Sequence, residues 1–182
     1  MKHFVYPLLL ILLVLCSGCG WPGTAHPTLQ TMSTQAGLAT PHWGVQTKTS
    51  GCGMRGQLPD PACTPGDILP NATVQQVCTA GYASAERNVS QSLKRQVYAA
   101  YGITQRLPGQ YEVDHLVNLS IGGSNDLTNL WPQPATPVPG YKEKNRVEVY
   151  LQSQVCSGAL SLREAEIEIA TNWVAVYNRL PK

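Results

Sequence analysis

The chain has 182 residues, enough for one domain with appendages around one modest core. It carries 13 Lys and Arg against 11 Asp and Glu, and loss of a leader containing Lys2 leaves 12 against 11. That near-balance counts against tight, extended binding to nucleic acid, which asks for a basic excess, but leaves room for a small catalytic cleft.

The chain begins MKHFVYPLLLILLVLCSGCG. A short basic start precedes an almost wholly apolar run from Phe4 to Leu15, and small residues follow. This is the layout of an export signal over residues 1–19, and the run is too short for an ordinary membrane span. LCSGC resembles a bacterial lipoprotein box, with Cys19 as the lipidated residue, although Cys16 stands where that box usually has Leu. Ordinary cleavage after Ala25 is the rival. The expected location is outside the cytoplasm, either anchored to a membrane through Cys19 or free in the periplasm or medium.

Residues 20–50 are polar, with scattered Pro and Gly and no sustained period, and read as a flexible linker. The domain is expected over 51–182. Its lead-in, 51–72, is rich in turn signals such as PGD at 65–67. Four cysteines follow the leader: Cys52, Cys63, Cys78 and Cys156. An even number in an exported chain implies two disulfides, with three pairings possible. Zinc ranks lower, because no two cysteines stand at Cys-x-x-Cys spacing. The expected pairing is Cys52–Cys63, closing a short loop, and Cys78–Cys156, closing a long one.

Helical pattern starts with NVSQSLKRQVYAAYG, where Val89, Leu93, Val97 and Tyr101 recur at helical spacing and Gly102 stops the run. Val113, Leu116, Val117, Leu119 and Ile121 suit short strands, and GGSND at 122–126 is a turn. YKEKNRVEVYLQSQVC reads as a helix with Val147, Leu151 and Val155 on one face. SLREAEIEIATNWVAVYN opens with a Ser161/Glu164 capping box, and Trp173 belongs to the core. The order is helix, two short strands with a turn, helix, helix: a small α+β domain.

Chemistry concentrates in YEVDHLVNLSIGGSNDLTNLWPQP, residues 111–134. His115 is the sole histidine after residue 42. A neutral imidazole is the natural general base for activating water, and the adjacent Asp114 is a hard oxygen ligand suited to a divalent cation. Strand neighbours point to opposite faces, so both can serve one site only where the strand ends or twists.

This stretch resembles the His-metal finger of the HNH nuclease superfamily, in which an Asp-His pair is followed by a Gly-Gly turn and an Asn-Leu, and a helix supplies the last ligand. Segments CTPGDILP, KEKNRVEVYL and VCSGALSLREAE extend the likeness to a group of small exported bacterial proteins, over roughly residues 62–175. The resemblance implies a ββα-metal core with flanking helices, stabilised by disulfides. It implies a metal-dependent endonuclease with nucleic acid as substrate. His115 falls on the general base, Asp114 on a metal ligand, and Asn129 on the residue that braces the loop and orients the histidine. The cation is expected to be Mg or Mn. Its last ligand falls among Asn145, Glu143 and Glu148, with Asn145 preferred. Lys144 and Arg146 are candidate phosphate contacts, against the plainer reading of a solvated helix face. Arg87 has the same two readings. Gly122 and Gly123 would permit the turn.

The competing reading is a non-catalytic surface or cell-envelope binding module on the same scaffold. A glycosidase using Glu112 needs a second facing acid that no spacing supplies. Nothing in the sequence identifies a protein partner.

Overall fold

The computed structural model describes residues 40–181; the expected leader with Cys19, and the linker as far as residue 39, lie outside the described residues. The described chain is mixed α+β. Its helices are α1 (Val74–Val77), α2 (Tyr82–Glu86), α3 (Gln91–Ala100), α4 (Tyr141–Cys156) and α5 (Leu162–Asn178), and its strands are β1 (Tyr111–His115) and β2 (Leu130–Pro134). Among the described residues no helix is long and apolar enough to cross a membrane.

The segment before α1 has no regular structure, so side chains and disulfides hold it. Cys52 bonds Cys63, and Cys78 bonds Cys156, the expected pairing. Asp60 organises the first loop by accepting from Gly53 N at 3.1 Å, Ala62 N at 3.0 Å and Lys48 Nζ at 3.1 Å. These bonds, Gly53's foremost, hold its carboxyl below the ordinary carboxylate range. Residues 40–50, read from sequence as linker, belong to this layer. Gly44 N donates to Gly66 O, and both Thr47 N and Lys48 N donate to Ala62 O. Trp43 packs on the core, with the Arg163 guanidinium 4.7 Å from its ring centre. A polar composition hid these backbone bonds.

Helix starts follow local chemistry. Ser90 caps α3 by accepting from Leu93 N at 3.1 Å, and Ser161 and Glu164 cap α5 reciprocally. On α4, Val147, Leu151 and Val155 recur at four-residue steps and are buried. They meet Ala165, Ile169, Trp173 and Val176 of α5, with Val77 and Trp131 closing the same cluster. Trp173 also donates to Gln57 O at 2.8 Å, so its indole N–H is satisfied inside the core. Within α5, Asn172 departs from helical geometry, and its side chain accepts from Ala175 N at 3.0 Å, capping the final turns anew.

The sheet is a single antiparallel pair, with Asp114 opposite Trp131 and His115 opposite Leu130. The second strand differs from the sequence reading. It is LWPQP, whose prolines argue against a strand; a two-stranded ribbon tolerates them because each strand has an unpaired edge. The apolar run Leu116–Ile121, read as strand, is part of a buried loop. Its backbone bonds close locally, Ile121 N and Gly123 N both reaching Asn118 O. Gly122 ends a 3₁₀ turn in the left-handed region at φ 83°, and a Cβ on Gly123 would stand 1.8 Å from Val117 O. Only glycine lets the loop close there.

Beneath this turn Glu166 of α5 is 4% exposed, with Arg163 Nη1 3.4 Å away. Burial outweighs that attraction and pushes its carboxyl up to about 7.

Candidate functional site

Strand β1 ends at His115, the 116–129 loop folds back over it, and α4 crosses beneath the ribbon. These elements set out two adjoining polar centres, one around each member of the Asp114–His115 pair.

The first centre is the imidazole. His115 is 2% exposed, and its Nε2 lies 3.2 Å from Asn125 Oδ1. The orientation of that amide follows from obligate partners. Asn88 N can only donate, and it donates to Asn125 Oδ1 at 3.2 Å. Glu86 O can only accept, and it accepts from Asn125 Nδ2 at 2.8 Å. An amide oxygen cannot donate, so His115 Nε2 carries the proton and the neutral ring's lone pair sits on Nδ1. Among the described residues the hydrogen bond of this ring is made by Nε2 and none by Nδ1. Burial is the largest influence on this ring and lowers its pKa to about 4, with Asn125 and Asp114 opposing and Arg87 and Lys144 assisting. The imidazole is therefore neutral throughout the physiological range. Arg87, exposed at the end of α2, sits between Glu86 and Asn88, the two residues that Asn125 pins.

Asn129 ties the loop together through its side-chain amide. It is fully buried, its Oδ1 accepts from Val117 N at 2.9 Å, and its Nδ2 donates to Val117 O at 2.9 Å and Ser124 O at 2.8 Å. Orientation of the imidazole, also expected of Asn129, falls to Asn125. GGSND is a turn by composition alone, so the sequence carries no sign of this role for Asn125.

The second centre is Asp114. Lys144 Nζ donates to Asp114 Oδ2 at 2.9 Å, to Glu148 Oε1 at 2.6 Å and to the backbone carbonyl of His115 at 2.7 Å. Lys144 is fully buried, so it is neither a phosphate contact nor part of a solvated face. Burial alone would push the ammonium down, but Asp114 and Glu148 outweigh it and its pKa ends above the ordinary lysine range. Burial drives the Glu148 carboxyl upward against the pull of Lys144. Glu112, two residues before Asp114, is also raised, by burial first and then by Asp114.

The two other candidates on α4 lie elsewhere. Asn145 and Arg146 are exposed and line a groove with Val149, Tyr150 and Leu180. Arg146 stands 5.6 Å from the Tyr177 ring centre. Helical geometry explains the separation: residues 144 and 148 share a face, and 145 is turned about 100° from it. Asp114 is thus engaged by an ammonium, and no hydrogen bond joins Asn145 to it among the described residues. Among the described residues no three of His, Cys, Asp and Glu are grouped to hold a metal ion.

Compared with protein families, with curated proteins and with solved structures, the chain matches none of them.

Proposed function

We propose that the protein is an exported phosphodiesterase, an endonuclease of the HNH type acting on nucleic acid with His115 as its general base. The observation that carries the reading is the imidazole itself: a buried, neutral ring whose Nε2 is committed to Asn125 and whose Nδ1 lone pair is left for a substrate water. The strand–loop–strand–helix order around an Asp-His pair, with Asn129 locking the loop, agrees with the resemblance to that superfamily. Two disulfides suit an oxidising compartment, consistent with export.

In the proposed reaction Nδ1 takes a proton from water as its oxygen adds to phosphorus. The bond from phosphorus to the leaving sugar oxygen breaks, and that oxygen takes a proton from solvent. Arg87 receives a phosphate oxygen; it is exposed, and its charge already acts on His115 and Glu112. Asn125 keeps the ring in the tautomer the step needs. Mg or Mn is the cation the resemblance implies, and the Asp114 carboxylate that would hold it is engaged by Lys144.

The test is incubation of the purified protein with plasmid DNA and with structured RNA, in chelator and in added Mg²⁺ or Mn²⁺. His115→Ala should lose cleavage by ~10²–10⁴-fold while keeping the parent's circular dichroism spectrum at the assay temperature. Equal cleavage by parent and variant refutes the catalytic role. Absence of cleavage under every condition leaves the non-catalytic envelope-binding module, which the unmatched metal donors also favour.

A further inference from the structure

We infer that Lys144 is the built-in cation of the Asp114–Glu148 centre: the centre takes up no divalent ion, and cleavage at His115 proceeds without a metal on Asp114. The second half rests on the nuclease reading; the first does not. Two carboxylates close enough to share one small cation are the arrangement a hard divalent ion needs. Here that position belongs to an ammonium, 2.9 Å from Asp114 Oδ2 and 2.6 Å from Glu148 Oε1. An ammonium has three N–H groups, and the third meets His115 O at 2.7 Å, so its donor capacity is used. The lysine side chain is 0% exposed, whereas Asp114 and Glu148 keep 16% and 19% of theirs in contact with solvent. A metal approaching from solvent would reach only the outer oxygens and would meet the repulsion of a buried positive charge directly behind them.

The bond to His115 O gives Lys144 a second task. It fixes the backbone of the base to the first turns of α4. Lys144 is therefore a positioning residue, acting through His115 and touching no substrate.

The deciding experiment is a titration of the intact, oxidised protein with Mn²⁺, with free ion counted by electron paramagnetic resonance. The parent should show no saturable site, and chelator should change its cleavage rate by less than about twofold. Lys144→Ala leaves two carboxylates without their cation, and it should gain saturable Mn²⁺ binding that the parent lacks and melt higher in its presence. Lys144→Arg, which keeps the charge, should stay without a site. Saturable Mn²⁺ binding by the parent that disappears in Asp114→Asn overturns the inference, as does cleavage abolished by chelator and restored by Mn²⁺. If Lys144→Ala does not fold, the parent titration and its Asp114→Asn control decide the matter alone. A parent that binds no Mn²⁺ and cleaves nothing supports the built-in cation and refutes the nuclease reading, so the two failures are distinct.

Discussion

Two buried groups should push the pH dependence of stability in opposite directions and nearly hide each other. His115 has its pKa depressed from an ordinary 6.5 to about 4, so the unfolded chain binds its proton first as pH falls. Its neutral burial contributes stability above pH 6.5 that is lost as pH falls toward 4. Glu166 is the reverse: burial raises its carboxyl from 4.5 to about 7, so the folded chain holds the proton longer. Stability that Glu166 leaves intact below pH 4.5 is lost as pH rises toward 7. Between pH 4.5 and 7 linkage gives each group roughly 2.5 kcal/mol, with opposite signs. The perturbation is Glu166→Gln, which removes one limb. Urea unfolding with both disulfides intact is the assay. The parent's dependence should be shallow in this window. Glu166→Gln should gain about 2.5 kcal/mol of upward slope relative to the parent, and His115→Gln a similar downward slope. Subtracting parent from variant removes the background from Glu148, Glu112 and Asp60. A Glu166→Gln profile parallel to the parent's would refute the reasoning, because the buried carboxyl would then not be raised.

Other outcomes follow from individual contacts. Asn125→Ala frees the ring and the 86–88 backbone together, so cleavage should fall about tenfold or more through kcat while the fold persists, as checked by steady-state kinetics and circular dichroism. Replacing Cys78 and Cys156 with Ser opens a bridge of sequence separation 78, and chain entropy puts the loss near 4.5 kcal/mol; the Cys52–Cys63 bridge, separation 11, should give nearer 3 kcal/mol. Denaturant melts of the two variants should keep that order. Gly123→Ala drives a methyl against Val117 O and should fail to accumulate as folded protein or lose several kcal/mol, whereas Gly158→Ala, with nothing within 4 Å, should show only the smaller strain of φ 77°.

Some of this architecture was legible in the sequence for identifiable reasons. The bounds of α4, its buried Val147, Leu151 and Val155, and the Ser161/Glu164 cap are local patterns, and local patterns survive folding. The cysteine count implied two disulfides, and the pairing expected among the three possible is the one present. Long-range facts were harder. Pro132 and Pro134 concealed β2, because proline is judged against a central strand and this one has a free edge. Leu116 to Ile121 alternate like a strand but lie in a loop buried from nearly every side. Lys144 carried a readable signal that its charged neighbours masked: it stands three and seven residues before Val147 and Leu151, on the buried face of the same helix. Asn125 carried no such signal. Its importance lies in three partners, from residues 86, 88 and 115, that only the fold assembles.

The Cys78–Cys156 bridge has a topological consequence. Arg87, Asp114, His115, Asn125, Asn129, Lys144 and Glu148 all fall between the two cysteines. The whole centre is thus carried on one covalently closed circle of chain. A protease that nicks the exposed 104–110 stretch, including Leu107, would open the circle without releasing a fragment, since both halves stay joined at the bridge. Arg87 would then lie on one polypeptide and His115 on the other, still held as a pair. The same cut in reducing conditions would let the two parts separate, so damage to the site would depend on redox state before it depended on proteolysis.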